Sequence, residues 1–285
     1  MFENPSGADK KGNFLYHGIE ILKELSRPSI KAVIFDFDGT VSTLRQGWEK
    51  IMEPFMVEMI QGPGTPSEEL IKEVREYIDE STGIQTIYQM QWLEEQVRRR
   101  GLNPLVHDAW WYKDEYNRRL LEMVKTRVQD LEEGRKSPDD YIIMGAGDFI
   151  QNLYDMGLAL YVASGTDHKD VVREAASLGL KGYFTQIMGA PERRADCSKE
   201  AVFRLLIETK GIKGEELLVV GDGKVEIALG VELGALTLGV AADEIKRHGL
   251  NPAKRNRLIK AGAHVIIEDF LPYREILSIL FPDSV

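Results

Sequence analysis

The sequence predicts a doubly wound α/β core, a parallel sheet wrapped by helices, interrupted after its first strand by an all-helical insertion. Three observations predict it. A β-branched and aromatic run, Ile30–Phe37 (IKAVIFDF), ends at the turn signature Asp38-Gly39-Thr40. From Leu44 to Glu133 nothing reads as a strand and the apolar spacing is helical. After Ser137-Pro138-Asp139-Asp140, strand-like runs alternate with amphipathic helical segments. Such alternation is the pattern of a parallel sheet with right-handed crossovers.

Each element follows from its residues. Residues 1–30 read as an N-terminal extension with one candidate helix, Phe14–Leu25. The core takes residues 31–44 and 138–285, and the helical insertion takes residues 45–137. Within the insertion Trp48, Ile51, Met52, Phe55 and Met56 repeat at helical spacing, as do Ile87, Met90, Trp92, Leu93 and Val97. A third stretch runs from Ala109 to Leu131 through Tyr112, Tyr116, Leu120 and Val124. Gly62–Pro66 and Gly101–Pro104 break these helices apart. The later strands are Leu158–Ala163, Thr185–Met188, Leu217–Val220, Leu236–Val240 and His264–Ile267. The helices between them are Ala146–Met156, Lys169–Leu178, Ser198–Lys210, Lys224–Leu233 and Pro272–Leu280.

Composition narrows the function. The chain has 285 residues, 43% hydrophobic and 29% charged, enough to bury a core without a disulfide or structural metal. Cys197 is the only cysteine, which fits a reducing compartment and argues against a cysteine-rich zinc site. It stands in a polar stretch with no histidine beside it, so a nucleophilic thiol is disfavoured. No apolar run reaches membrane-spanning length, and MFENPSGADKKGNF lacks the apolar stretch of a signal peptide. The expectation is a cytoplasmic protein without membrane attachment. A net charge of −10 opposes nonspecific nucleic-acid binding. An anionic substrate must therefore be met by a local positive site. Oligomeric state is not legible.

In doubly wound sheets ligands bind at the carboxyl ends of the strands. Four polar clusters fall there: Asp36 and Asp38 after the first strand, Ser164-Gly165-Thr166 after the second, Lys199 opening a helix, and Gly221-Asp222-Gly223 after the fourth. Asp36, Asp38, Asp222 and Glu226 would converge on one small volume. Carboxylates ~4 Å apart repel by ~4 kcal/mol per pair at an effective dielectric of 20, so a counter-charge is required. A hard divalent cation suits all-oxygen ligands, and Mg²⁺ accepts one or two carboxylates together with a substrate phosphate. Lys199 would serve that phosphate by charge, and Ser164 and the Gly165 N–H by hydrogen bonds.

The order and spacing of Asp36-Phe37-Asp38-Gly39-Thr40, Ser164, Lys199 and Gly221-Asp222-Gly223 with Glu226 resemble the haloacid dehalogenase-like hydrolase superfamily. Leu178–Phe184 (LGLKGYF) is similar to a stretch of its phosphoglycolate-phosphatase-like branch, whose members carry a helical cap after the first strand. The resemblance covers about residues 31–281. It implies a Mg²⁺-dependent phosphatase acting on a small phosphorylated metabolite. Asp36 would be the nucleophile that forms an aspartyl-phosphate. Asp38 would be the acid/base, a role that asks for a raised carboxyl pKa. Thr40, Ser164, Gly165 and Lys199 would bind the phosphoryl group. The metal would be held by Asp36, the Asp38 backbone carbonyl and Asp222, with Glu226 in support.

Two positions depart from that pattern: Lys199 is followed by Glu200 rather than proline, and Glu226 stands where many relatives have aspartate. Ordinary structural roles compete at several others. Ser164 suits a helix N-cap and Glu226 a first turn, where the dipole favours a carboxylate. Arg98-Arg99-Arg100 suits a solvated helix end, and Trp110, Trp111, Tyr112 and Tyr116 suit packing. Arg45 is placed to reach a second anionic group of the substrate. Ser81–Thr86 lies between two insertion helices, so Thr82 and Gln85 are the candidate specificity residues, against a plain capping turn. Alternatives on the same fold are a phosphomutase, a phosphonate hydrolase using a cap lysine (Lys50 or Lys72), and a non-catalytic phosphoryl-binding protein. Dehalogenation is disfavoured because that branch does not use an acid/base like Asp38.

Overall fold

A computed structural model of the chain describes residues 14–16, 18–25, 29–191 and 199–282. In chain order, β1 (Phe14–Tyr16), β2 (Ile19–Ile21) and β3 (Ala32–Phe35) precede four helices, α1 (Glu49–Gln61), α2 (Glu68–Glu80), α3 (Thr86–Arg100) and α4 (Ala109–Glu132). There follow α5 (Ala146–Asp155), β4 (Ala159–Asp167), α6 (His168–Ser177), β5 (Gln186–Ala190) and α7 (Lys199–Lys210). The chain continues through β6 (Leu217–Gly221), α8 (Lys224–Glu232), β7 (Leu236–Val240), α9 (Pro252–Ala261), β8 (Val265–Ile267) and α10 (Tyr273–Leu280). Cys197 and the first expected helical residue, Ser198, lie outside the described residues.

The strands form one sheet in the order β1-β2-β8-β7-β6-β3-β4-β5. From β8 to β5 every pairing is parallel, as the alternation of strands and helices predicts. β3 sits between β6 and β4, with Val33 opposite Leu218 on one side and Leu160 on the other. Alternate residues of β3 serve opposite faces. Val33 and Phe35 pack in the cluster that holds Phe149 and Phe270, while Ala32 and Ile34 join Phe203 and Leu217. Burial on both faces explains why this strand reads as an unbroken apolar run. Full burial of a side chain such as Phe35 contributes roughly 2–3 kcal/mol.

The N-terminal region differs from expectation. Phe14–Leu25 is not a helix: β1 and β2 pair antiparallel, and β2 pairs antiparallel with β8, so part of the extension lengthens the core sheet. Gly18, at φ +81, makes the reversal between them. Glu20 is buried and receives two hydrogen bonds from Arg255 of α9, which ties this edge to the helix layer. The helical periodicity of Phe14–Leu25 is overridden by pairing with β8, whose edge would otherwise be open.

Between β3 and α5 the described chain has no strand. Ser67 caps α2 by accepting from Leu70 N at 3.2 Å, and Asp108 caps α4 by accepting from Trp111 N at 2.8 Å. Gly101, at φ +61, closes α3. Met52, Phe55, Met56, Met90, Tyr112 and Tyr116 are buried where these helices meet. The arginines at the end of α3 do find partners, Arg98 with Glu94 and Arg100 with Glu73. None of the helices among the described residues is long and apolar enough to cross a membrane.

The chain leaves and re-enters the sheet layer through two adjacent segments. Ser42 bridges Ile142, Thr43 N donates to Tyr141 O at 2.8 Å, and Ile143 N donates to Val41 O at 2.9 Å. Arg127 of α4 donates to the carbonyls of Thr43, Leu44 and Gln46. The re-entry ends at Gly145, whose φ is +79 and where a Cβ would lie 2.3 Å from the Phe270 carbonyl oxygen. Gly145→Ala should therefore destabilise the protein by about 3 kcal/mol, combining left-handed strain with a backbone clash. Urea denaturation measures it, and an unchanged midpoint would show that this turn relaxes freely.

Candidate active site

Strand pairing sets the position of the site. Asp36 directly follows β3, and its N–H donates to Val220 O of β6 at 2.9 Å, so the sheet register itself places this carboxyl. The chain then turns sharply, with Val41 N and Ser42 N both donating to Phe37 O. Gly39 is required in that turn: its φ is +77, and a Cβ would fall 2.6 Å from Asp222 Oδ2. At the end of β6, Gly221 leaves room for Glu226, whose Cγ would lie 2.4 Å from a Cβ there. Asp222 follows, and Gly223 is the N-cap of α8. β4 extends past β3 as Ser164, Gly165, Thr166 and Asp167, with Asp167 still paired to Ala190 of β5.

These ends converge. Lys199 Nζ lies 2.7 Å from Asp36 Oδ1 and 2.9 Å from Glu226 Oε2, and all three side chains are buried. Glu226 Oε1 accepts from Gly223 N at 2.6 Å, so its capping role and its contact with Lys199 are filled by different oxygens. Thr40 Oγ1 donates to Asp222 Oδ1 at 3.0 Å. Asp38 lies across the site: its Oδ2 accepts from Thr166 Oγ1 at 2.8 Å and Ser164 Oγ at 3.4 Å. Its Oδ1 accepts no hydrogen bond, and Arg45 Nε stands 3.8 Å away. Asp36, Asp38, Ser164, Gly165, Lys199, Asp222 and Glu226 all line one cavity of about 340 Å³ between the sheet and α1–α4. Thr40 reaches the site through Asp222.

The site concentrates negative charge. Burial pushes the Asp36 carboxyl well above its usual range; Lys199 opposes this, while Glu226 and Asp222 add to it. Burial likewise disfavours the Lys199 ammonium, but Asp36 and Glu226 outweigh that and raise it. Asp222 also meets a burial penalty, which Lys254 overcomes, aided by Lys199 and Thr40, so its carboxyl lies below the ordinary range. Oxygens of Asp36, Asp222 and Glu226 lie within 4.8 Å of one another. An all-carboxylate set this close fits a hard divalent cation, which would supply the positive charge that Asp36 still needs. Asp36, Asp222 and Glu226 are the residues whose oxygens lie close enough to hold one.

Several residues were not legible in advance. Lys254 of α9 lies 2.6 Å from both Asp222 and Glu244, and it donates to Gly39 O at 3.4 Å. The Asn251-Pro252 start signal for α9 was available, and Asn251 does cap the helix by accepting from Ala253 N. The lysine's destination depends on the tertiary fold. Thr166 was visible only as a neighbour of Ser164. Glu174 of α6 accepts three hydrogen bonds from Arg45, at 2.6, 3.1 and 3.2 Å.

That pairing changes the expectation for Arg45. Its guanidinium is committed to Glu174, with Asp38 and Asp170 each 3.8 Å away, so one cation serves three carboxylates. A second anion would have to share it with these carboxylates. Thr82 lines the cavity, and its hydroxyl donates to Ile78 O at 3.0 Å. Gln85 is buried at the start of α3 and lies outside the cavity wall, while Gln89, one turn on, lines it. Neither Lys50 nor Lys72 lines the cavity; Lys72 points to solvent and pairs with Glu76. The lysine that α1–α4 do contribute is Lys113, paired with Asp167.

Comparison with known proteins agrees with this geometry. The family model described as "Hydrolase: haloacid dehalogenase-like hydrolase" matches residues 30–234. Among solved structures, a predicted phosphoglycolate phosphatase from Haemophilus somnus is similar at a TM-score of 0.59 and 16% identity, covering 89% of this chain and 99% of that one. A predicted phosphatase from Clostridium acetobutylicum gives a TM-score of 0.57 at 17% identity, covering 88% and 100%. A beta-phosphoglucomutase from Clostridium difficile gives 0.56 at 13% identity, covering 89% and 98%. At these identities the likeness is one of fold. No curated protein matches the sequence.

The Arg45 cluster generates a pH prediction. Burial pushes Glu174 from 4.5 up to about 7, with Arg45 opposing and Asp38 and Asp170 reinforcing. A folded-state value above the unfolded one stabilises the fold below pH 4.5 and loses that contribution as pH rises through about 7. Relative to Glu174→Gln, the unmodified chain should thus lose about 3 kcal/mol across this window. Urea denaturation at a series of pH values reads the difference. Parallel stability curves would show that Arg45 keeps Glu174 ionised throughout.

Proposed function

Because this chain belongs to the haloacid dehalogenase-like hydrolase family, we propose that it is a phosphatase that hydrolyses a small phosphomonoester through a covalent intermediate on Asp36. One observation carries the reading: Asp36 is buried beside Lys199, and Asp38, held by Thr166 and Ser164, lines the same cavity.

In this mechanism the phosphoryl group lies against Lys199, Ser164 and the Gly165 N–H. An Asp36 oxygen attacks phosphorus, the bond to the leaving oxygen breaks, and Asp38 gives that oxygen a proton. Asp38 then takes a proton from water, which attacks the aspartyl-phosphate, releases phosphate and regenerates Asp36. Covalent catalysis divides one difficult displacement into two easier ones. Thr166 and Ser164 fix the rotamer of Asp38, and Arg45 limits its charge repulsion with Glu174. Asp36, the Asp38 carbonyl and Asp222 would hold Mg²⁺, which would supply positive charge to balance the carboxylates and the phosphoryl oxygens. Glu226 supports the set by holding Lys199.

Asp36→Asn should retain the fold but lower phosphate release at least a thousandfold, since an amide is not a competent nucleophile here (an order-of-magnitude estimate). The same variant should fail to form the complex that the unmodified chain makes with beryllium fluoride, a mimic of aspartyl-phosphate. Comparable turnover in the variant would reject the mechanism. Chelation should abolish activity and Mg²⁺ restore it, with Asp222→Asn requiring roughly tenfold more metal. Activity that survives exhaustive chelation would remove the cation from the proposal.

A further inference from the structure

The cavity wall carries cations, but each is already engaged. At the end facing α1–α4, Arg75 donates to both oxygens of Glu53 at 2.9 and 2.7 Å, and Arg257 donates to Asp79 at 2.9 Å. Lys113 is paired with Asp167, which also accepts from Asn117 at 2.9 Å. Arg45 is shared among three carboxylates. Beyond these, Glu49 adds a carboxylate to the wall with no cationic partner among the described residues. Trp48 and Tyr116 supply its aromatic surface, and Gln89 and Thr82 supply neutral polar groups. This far end is therefore neutral to negative, and no cation there, among the described residues, is without a carboxylate partner.

We propose that the cavity selects phosphomonoesters whose alcohol carries no second negative charge. The inference rests on the hydrolase reading of Asp36 and concerns the leaving group alone. A carboxylate or second phosphate in this cavity would meet Glu49 and would have to compete with a carboxylate that already holds Arg75, Arg257, Lys113 or Arg45. An anion that takes one of these cations leaves a carboxylate unpaired, and like-charge contact at a site discriminates strongly against the wrong ligand. A hydroxyl-bearing alcohol faces no such conflict, because Gln89, Thr82 and Asn117 offer neutral polar groups. The cavity volume of about 340 Å³ is near the lower end for small-molecule sites and restricts the alcohol to a small one. The same pairing disfavours phosphoryl shuttling between two positions of a sugar. Such a reaction passes through a bisphosphate, whose second phosphate needs a cation at the far end.

The test uses the full chain with Mg²⁺ and four esters: p-nitrophenyl phosphate, glycerol phosphate, phosphoethanolamine and phosphoglycolate. Glycerol phosphate and phosphoethanolamine should exceed phosphoglycolate in kcat/KM by at least thirtyfold, an order-of-magnitude expectation for one uncompensated charge. Phosphoglycolate turned over as well as glycerol phosphate, or better, would overturn the proposal. Glu53→Gln, in an ion pair whose arginine is largely exposed, releases Arg75. It should raise the phosphoglycolate-to-glycerol phosphate ratio at least about fivefold. An unchanged ratio would show that engaged cations are not what excludes the anion. If none of the four esters, the aryl ester included, releases phosphate, the hydrolase reading itself fails and takes this one with it.

Discussion

Mutual repulsion among buried carboxylates is the constraint on which the rest of the site depends. The register of β3 against β6 brings Asp36 and Asp222 together, and the first turn of α8 adds Glu226. At ~4 Å each pair costs on the order of 4 kcal/mol at an effective dielectric of 20, so the cluster survives only with positive partners of fixed position. Two lysines from different helices provide them. Lys199 of α7 joins Asp36 to Glu226, and Lys254 of α9 joins Asp222 to Glu244. The glycines are a consequence of the same crowding. At Gly39 and Gly221 a single Cβ would enter the carboxylates themselves.

How much of this was legible depends on the range of the interaction that decides each feature. The core strands announce themselves because both faces are buried, and β7 is found at Leu236–Val240, the residues its apolar run marks. The strand-end polar residues also follow from local pattern, since a parallel sheet puts every strand's carboxyl end on one side. Phe14–Leu25 misled because a helical apolar spacing was outweighed by a neighbouring strand edge some 240 positions away, which sequence periodicity does not register. Lys254 was missed for a related reason. A lysine in the first turn of a polar helix looks solvated until the fold brings Asp222 and Glu244 to it.

Arg45 illustrates the other limit. Its placement just beyond the first strand made it a plausible anion receptor, and the placement is right: it borders the cavity and faces Asp38. What the sequence lacks is its partner. Glu174 lies 129 positions away on α6, where its spacing suggests only one charge among several on an amphipathic helix. Once buried together, the two define a local electrostatic unit with Asp38 and Asp170, in which one guanidinium is shared among three carboxylates. The functional value of a cation at such a site depends on how many acceptors already claim it.

The paired segments at residues 41–43 and 141–143 have a consequence for the polymer as a whole. Their backbones are hydrogen-bonded to each other, and Arg127 fastens the outgoing one to α4. To the sheet, α1–α4 therefore present the two ends of a tight reversal, whatever the length of chain beyond it. Loop-closure entropy grows only as the logarithm of contour length, and a folded excursion with adjacent ends avoids most of even that. The register of β3 against β4 and β6 is accordingly indifferent to the size of the excursion. Chain could be added to or removed from the four-helix unit without moving Asp36 relative to Asp222, so the wall facing the leaving group can vary while the charge cluster beneath it stays fixed.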